Sequence, residues 1–222
     1  PQDELIATAS ERSIHLTRPD GEVLWTLGGH QESGSFRSRV IRDLAFRPDG
    51  QQLASLSTDG TVRLWSLAEG TCRTDPVLRV RSGTPMALAY GQDGSQIAVA
   101  VDGQGIEIWN ARTGDRVSTP EDCSRNAVGT ARDARGRFLL GIGVESTLQH
   151  VDPDSGCSAG SDSGISVPEF LAVGPDGQIA VTGGSSTDVE LWDPELEGSE
   201  SISLPREVPG LGAPGELGRT AW

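Results

Sequence analysis

The sequence predicts an all-β fold built from about five repeated, four-stranded antiparallel units, and three observations carry that prediction. Of the 222 residues, 29 are Gly and 13 are Pro. That density weakens helix interiors and long strands alike, and it favours short strands joined by many turns. The apolar residues come in clusters of about four to six separated by Asp-Gly, Ser-Gly or Pro-Asp turns, the pattern of strands linked by hairpins. Finally, the chain repeats itself.

The segment Leu44-Ala45-Phe46-Arg47-Pro48-Asp49-Gly50-Gln51-Gln52-Leu53-Ala54-Ser55 returns as Leu88-Ala89-Tyr90-Gly91-Gln92-Asp93-Gly94-Ser95-Gln96-Ile97-Ala98-Val99, and again from Leu171 to Val181. A worn copy runs from Gly129 to Leu140. The turn glycines Gly50, Gly94, Gly136 and Gly177 are spaced 44, 42 and 41 residues apart. A second marker keeps the same beat: apolar-x-apolar-Trp ends at Trp65, Trp109 and Trp192, with Thr17 and Val151 in the same register. Two independent markers on one period identify a repeat architecture.

Within the second unit, strands are expected near Arg42–Phe46, Gln52–Ser57, Thr61–Ser66 and Asp75–Val80. Asp49-Gly50 and Asp59-Gly60 sit at the first two turns, where Gly accommodates positive φ and the Asp carboxylate caps nearby N–H groups. Four strands in a unit of this length match one blade of a β-propeller. The expected units are 1–39, 40–83, 84–125, 126–166 and 167–206, followed by a Gly- and Pro-rich loop and a last strand within 207–222.

Ser57-Thr58-Asp59-Gly60-Thr61-Val62-Arg63-Leu64-Trp65, following Phe46-Arg47-Pro48-Asp49-Gly50, resembles a WD40 repeat, and Trp192-Asp193 keeps the eponymous dipeptide. Trp65-Ser66 and Trp109-Asn110 are degenerate forms. The resemblance covers nearly the whole chain. It implies a propeller whose usual role is a rigid platform for other proteins, with no catalytic site in the pattern. It also implies a buried hydrogen-bonded set of His, Ser or Thr, Asp and Trp. Only the second blade has candidates for this set: His30, Ser55 or Ser57, Asp59 and Trp65. The stretch Gln31–Arg39 between His30 and the blade is longer than the family pattern has. Trp109 and Trp192 take the same packing position in their own blades.

The ends are asymmetric. Pro1–Ala7 aligns with Pro48–Ala54, so the first blade lacks its innermost strand, while Gly218–Trp222 aligns with Arg42–Phe46 and is one strand to spare. Either the chain is a window on a longer array, as its first residue Pro1 suggests, or the last strand pairs with Leu5–Ser10 and closes a five-bladed ring, which removes an exposed edge.

The net charge is −14, and the basic residues are all Arg. Residues 1–111 carry 10 Arg against 14 acids and residues 112–222 carry 8 against 18. Phosphate neutralisation, and with it nucleic-acid binding, is disfavoured. The absence of Lys is expected to reflect codon bias in a GC-rich bacterial genome. Cys72, Cys123 and Cys157 are odd in number and widely spaced, which disfavours a disulfide framework or a zinc site and fits a reducing, cytoplasmic setting. No apolar run reaches the length of a membrane-crossing helix, and no secretory signal is evident.

Chemistry-bearing motifs are weak. Gly156-Cys157-Ser158-Ala159-Gly160 matches G-x-S-x-G but lacks the strand before it and the helix after it that a nucleophile elbow needs. His15 and His150 lie inside strand patterns and read as surface or packed rings, with no two His at ligand spacing. Asp152-Pro153-Asp154-Ser155-Gly156 lacks the further acids of a calcium loop. Gly103-Gln104-Gly105 reads as a hairpin turn rather than a dinucleotide site. No cofactor or metal is expected.

Recognition is better served. Phe36, Arg37 and Arg39 in the insertion, with Arg79, Arg81 and Arg125 in neighbouring inter-blade loops, either cluster on one rim to grip carboxylates of an acidic protein partner or are unrelated solvated arginines. The function expected is a non-catalytic protein-interaction scaffold or sensor platform within a larger, bacterial protein. The alternatives are an enzyme or small-ligand binder using the central channel, and a purely architectural spacer. The innermost strands, small and apolar in sequence, argue against the channel.

Overall fold

The computed structural model describes residues 5–10, 13–28, 30, 40–67, 73–120, 123, 127–133, 137–142, 146–152, 156–158, 160–162, 168–174, 176–183 and 188–203. Every element among them is a strand or turn. The first sheet holds β1 (Ile6–Ser10), β2 (Ser13–Thr17) and β3 (Val23–Gly28). The second holds β4 (Ile41–Phe46), β5 (Gln52–Ser57), β6 (Thr61–Ser66) and β7 (Arg73–Arg79). The third holds β8 (Thr84–Tyr90), β9 (Gln96–Asp102), β10 (Gly105–Asn110) and β11 (Arg116–Ser118).

The fourth sheet runs β12 (Ala127–Arg132), β13 (Phe138–Ile142), β14 (Thr147–Asp152) and β15 (Gly156–Cys157), with β16 (Ser161–Asp162) also on β14. The fifth runs β17 (Pro168–Val173), β18 (Ile179–Gly183), β19 (Asp188–Trp192) and β20 (Ser199–Ser203). Each is an antiparallel meander, so the five sheets are propeller blades in chain order. The strands expected in the second blade are present, with the outermost starting two residues earlier, at Arg73. The fourth blade has an outer edge split into two-residue pieces, since its sequence there offers Gly and Ser in place of alternating apolar residues.

The first sheet has three described strands, and the final segment expected to complete it lies outside the described residues.

Apolar alternation explains the packing. Along β6, Val62 and Leu64 face the third blade while Trp65 faces the first, so each sheet has two apolar faces and each pair of blades shares a core. Among the described residues, four such cores are formed between successive blades. One joins Ile14 and Leu16 to Leu53 and Trp65; another joins Leu56 and Leu64 to Ile97, Val99 and Trp109. A further one joins Ile106 and Ile108 to Phe138 and Val151, and the last joins Leu139 and Leu148 to Ile179, Val181 and Trp192.

Polar clamps reinforce these interfaces. The Tyr90 hydroxyl donates to Gln52 Oε1 (2.8 Å), and the Leu88 N–H donates to Asp43 Oδ2 (2.9 Å), each across one blade boundary. The Arg137 guanidinium holds Asp133 (2.6 Å) and reaches the Pro194 carbonyl (3.1 Å) in the fifth blade. Gly94 shows why a glycine recurs in the first turn. Its φ is +69°, and a Cβ there would lie 2.5 Å from Arg47 Cγ and 3.4 Å from Pro48 Cδ of the preceding blade.

A feature hidden in the sequence recurs on the innermost strands. The register slips between Ile41 and Asp43, Pro85 and Ala87, Ala127 and Gly129, and Pro168 and Phe170, one β-bulge per blade at one place. The innermost strands of blades two to five, together with Thr8 and Ala9 of β1, border a central space of about 1540 Å³.

The cysteine expectation is corrected. Cys123, in the linker before the fourth blade, is disulfide-bonded to Cys157 on β15, 34 residues later, with Cα atoms 5.1 Å apart. Wide spacing in sequence concealed proximity in space, because Cys123 lies against the outer edge of the blade that follows it. The reducing compartment inferred from unpaired cysteines loses the observation it rested on.

Candidate functional site

Antiparallel blades place alternate connections at opposite ends of the stack. The hairpin 58–60 and the inter-blade linkers share one end, tied together by Thr58 N to Val40 O (3.1 Å) and Val80 N to Gly60 O (3.0 Å). The hairpins 47–51, 91–95 and 174–178 occupy the other. There Asp49, Asp93 and Asp176 each accept the N–H two residues on. For Asp49 the Arg47 guanidinium is the main cause holding the carboxyl below its usual range, and for Asp93 it is the Ser95 N–H.

At the linker end, blade two contains a connected polar network. On β6, Thr61, Arg63 and Trp65 share one face, and Ser55 on β5 lies directly opposite Arg63. Trp65 Nε1 donates to Ser55 Oγ (2.9 Å), and Ser55 Oγ lies 2.9 Å from His30 Nε2. His30 Nδ1 lies 3.2 Å from Asp59 Oδ2 and 3.1 Å from Thr61 Oγ1. Thr61 gives Asp59 Oδ1 both its hydroxyl (2.6 Å) and its N–H (2.9 Å). Indole is a donor only, so the arrangement that satisfies every group runs Trp65 N–H to Ser55, Ser55 O–H to His30, and His30 N–H to Asp59. His30 therefore reaches the blade despite the long stretch after it.

Ser55, His30 and Asp59 are hydrogen-bonded in the order of a nucleophile, base and orienting acid. Access decides against that chemistry. Ser55 is 0% exposed and His30 7%, and the Ser55 oxygen already accepts the indole. No substrate carbonyl reaches such a hydroxyl, and the network braces the 58–60 hairpin instead.

The network sets an acid-dependent contribution to stability. Burial raises the Asp59 carboxyl, but hydrogen bonds from His30 and Thr61 outweigh it and hold it at about 2. A folded value below the unfolded one means the contribution is complete above the unfolded value and is lost as pH falls through the folded one. Acidification from about pH 5 to about pH 2 is expected to remove about 2 kcal/mol through this group. Urea unfolding at a series of pH values checks it: Asp59→Asn flattens this part of the profile, and an unchanged slope contradicts it.

The other blades meet the buried indole differently. In blade five, Trp192 Nε1 donates to Glu190 Oε2 (3.0 Å) on its own strand. In blade three, Val99 stands where Ser55 stands, and Trp109 Nε1 lacks a hydrogen-bond partner, as does Oε2 of nearby Glu107. Burial pushes the Glu107 carboxyl up, partly offset by Arg116 at 3.4 Å.

Of the expected partner-binding residues, Arg79 closes β7 and Arg81 lies in the following linker, both exposed at the linker end. Phe36, Arg37, Arg39 and Arg125 lie outside the described residues. The His15 ring lies 3.2 Å from Thr26 Oγ1, and His150 is 9% exposed, its pKa lowered mainly by burial. Ser158 of the G-x-S-x-G match exchanges backbone and side-chain hydrogen bonds with the His150 backbone as part of the sheet edge. Among the described residues no group of three His, Cys, Asp or Glu is placed to hold a metal ion. Thr61, Asp43 and Glu107 were not singled out from sequence, although Thr61 sits two residues after Asp59, the spacing at which an Asp caps a turn.

Residues 1–84 match the family described as the anaphase-promoting complex subunit 4 WD40 domain. A periodic tryptophan protein 2 homolog of Schizosaccharomyces pombe is 31% identical over 122 residues, 53% of this chain and 13% of that protein. Protein ANTHESIS POMOTING FACTOR 1 of Arabidopsis thaliana is 24% identical over 199 residues, 86% of this chain and 56% of that protein. A ribosome biogenesis protein BOP1 homolog of Caenorhabditis elegans is 32% identical over 116 residues, 45% of this chain and 16% of that protein. The chain thus spans less than two thirds of each relative. All three are eukaryotic, and none supports the expected bacterial origin.

Proposed function

The chain belongs to the WD40-repeat family, and from that premise we propose that it acts as a non-catalytic platform for protein–protein interaction. The observation that carries this reading is the fate of the reactive side chains. Ser55, His30 and Asp59 are consumed in bracing a hairpin, and Asp43, on an innermost strand, is consumed in clamping the next blade. Among the described residues, the arginines of the linker between blades two and three stand exposed on the rim. A subunit of a multi-protein complex supplies the matching family description, in keeping with this reading.

The linker end is the proposed binding face. Arg79 and Arg81 project there from an otherwise acidic chain, and guanidinium groups suit bidentate capture of carboxylates on a partner.

Retention of a partner by the intact protein tests this. The combined change Arg79→Glu and Arg81→Glu is expected to reduce capture at least about tenfold, in line with loss of close charge pairs, while the melting temperature stays within about 2 °C because both side chains are exposed. Undiminished capture places the binding surface elsewhere.

A further inference from the structure

The face that blade two turns to blade one carries two guanidinium groups with no acid set against them among the described residues. The strand register places them. At the linker end, Thr61 on β6 stands opposite Arg79 on β7; the next row has Arg63 opposite Val77, and Trp65 follows in the core shared with blade one. Residues directly opposite in an antiparallel pair share a face. Leu78, between Val77 and Arg79, is accordingly buried on the other side, with Val62 and blade three. Arg63 and Arg79 are therefore diagonal neighbours, at a backbone spacing of about 7–8 Å that long side chains span.

Arg79 is exposed and Arg63 half-buried. Neither side chain makes a hydrogen bond or ion pair among the described residues, and Arg63 Nε is closed off from solvent without an acceptor. The polar groups beside them are already engaged. Ser55, opposite Arg63 on β5, is bonded to His30 and Trp65, and Asp59 is bonded to Thr61 and His30.

The other blades show what this position ordinarily meets. In the apolar-x-apolar-Trp strand, x is Arg63 in blade two, Glu107 in blade three and Glu190 in blade five. Glu107 pairs with Arg116 of its own outermost strand at 3.4 Å, and Glu190 accepts the Trp192 indole. Blade two has the opposite sign at x and a second arginine beside it, where blade three has an internal ion pair. A half-buried charge without a counter-charge costs free energy, and a like charge nearby adds to that cost.

We propose that Arg63 and Arg79 form a two-pronged site for one carboxylate side chain of a partner protein, entered from the linker end. The inference rests on the linker-end reading above and names the group that is bound there. The incoming carboxylate plays against Arg63 the part that Glu107 plays against Arg116, and each guanidinium offers it a fork of N–H donors. Asp59, bonded to Thr61 directly across from Arg79, is the acid at this end of the blade. Two guanidinium charges beside this one carboxylate leave a single positive charge, which a carboxylate matches and a doubly charged phosphate monoester exceeds.

The test uses N-acetyl-aspartate methylamide as probe, added to the isotope-labelled full chain at low salt, where charge pairs are least screened. The arginine Nε–Hε resonances of Arg63 and Arg79 are expected to shift together and saturate, and the Arg79 shift to vanish in Arg63→Gln. The same variant reduces partner capture by the intact protein at least about tenfold. Its melting temperature does not fall, because no bond is lost with the side chain. Arg63→Lys keeps the charge, loses the fork and falls between the two. Unmoved resonances overturn the proposal, as does tighter binding of inorganic phosphate than of the probe. A melting temperature lowered by several degrees in Arg63→Gln also overturns it, since Arg63 is then a structural residue. Capture that survives Arg79→Glu with Arg81→Glu removes the whole linker-end face. Capture lost in that pair and intact in Arg63→Gln keeps the face and removes the carboxylate site.

Discussion

Replacing Trp65 with alanine lowers stability by about 3–5 kcal/mol, the cost of emptying a large aromatic site in a packed core. Trp65 is 3% exposed and lies against Ile14, Leu16 and Leu53, so it belongs to the core that joins the first two blades. The indole also donates to Ser55 Oγ, and its loss leaves a wholly buried hydroxyl one bond short next to His30. Chemical denaturation gives the magnitude directly. The same substitution at Trp109 costs less beyond packing, since its Nε1 has no hydrogen bond to lose. A cost at Trp65 below about 1 kcal/mol contradicts the assignment of this residue to an inter-blade core.

Removing the Cys123–Cys157 bridge is the second large effect. The bridge closes a loop over a sequence separation of 34. Loop-closure entropy for that length amounts to roughly 3–4 kcal/mol. The double change Cys123→Ser and Cys157→Ser, or reduction of the wild type, is expected to lower the denaturation midpoint accordingly. The fourth blade is where the loss concentrates, because its outer strands are two residues long and the bridge holds the linker against one of them. Thiol titration under non-reducing conditions yields one free thiol per chain from the three cysteines. Three free thiols, or a midpoint indifferent to reductant, contradicts the pairing.

Much of the fold was legible because the repeat registers local chemistry with global position. The Asp-Gly turns and the Trp-ended strands mark the same two places in successive blades, and an error of one residue would turn Trp65 out of its core. The blade-two set of His30, Ser55, Asp59 and Trp65 was implied by the resemblance of its sequence to a WD40 repeat, whereas Thr61 was not part of that set. What stayed hidden depends on contacts across blades. Asp43 reads as an ordinary polar residue until the Leu88 N–H is seen against it. The bulges follow from strand curvature at the axis rather than from a glycine, so Arg42, Met86 and Val128 give no sign of them. The disulfide was missed for the same reason, as 34 residues of chain separate two atoms that the blade geometry brings together.

Nor does the acidic balance by itself say where a partner sits. The carboxylates at the 47–51 and 91–95 hairpins cap their own turns, whereas Arg79 and Arg81 stand exposed at the opposite end. That division of labour between the two ends is what makes the platform reading specific. Hydrogen–deuterium exchange of the intact protein, with and without its retained partner, measures it most directly. The account predicts new protection at residues 58–61 and 80–84 with hairpins 47–51 and 91–95 unchanged, while protection confined to those hairpins would contradict it.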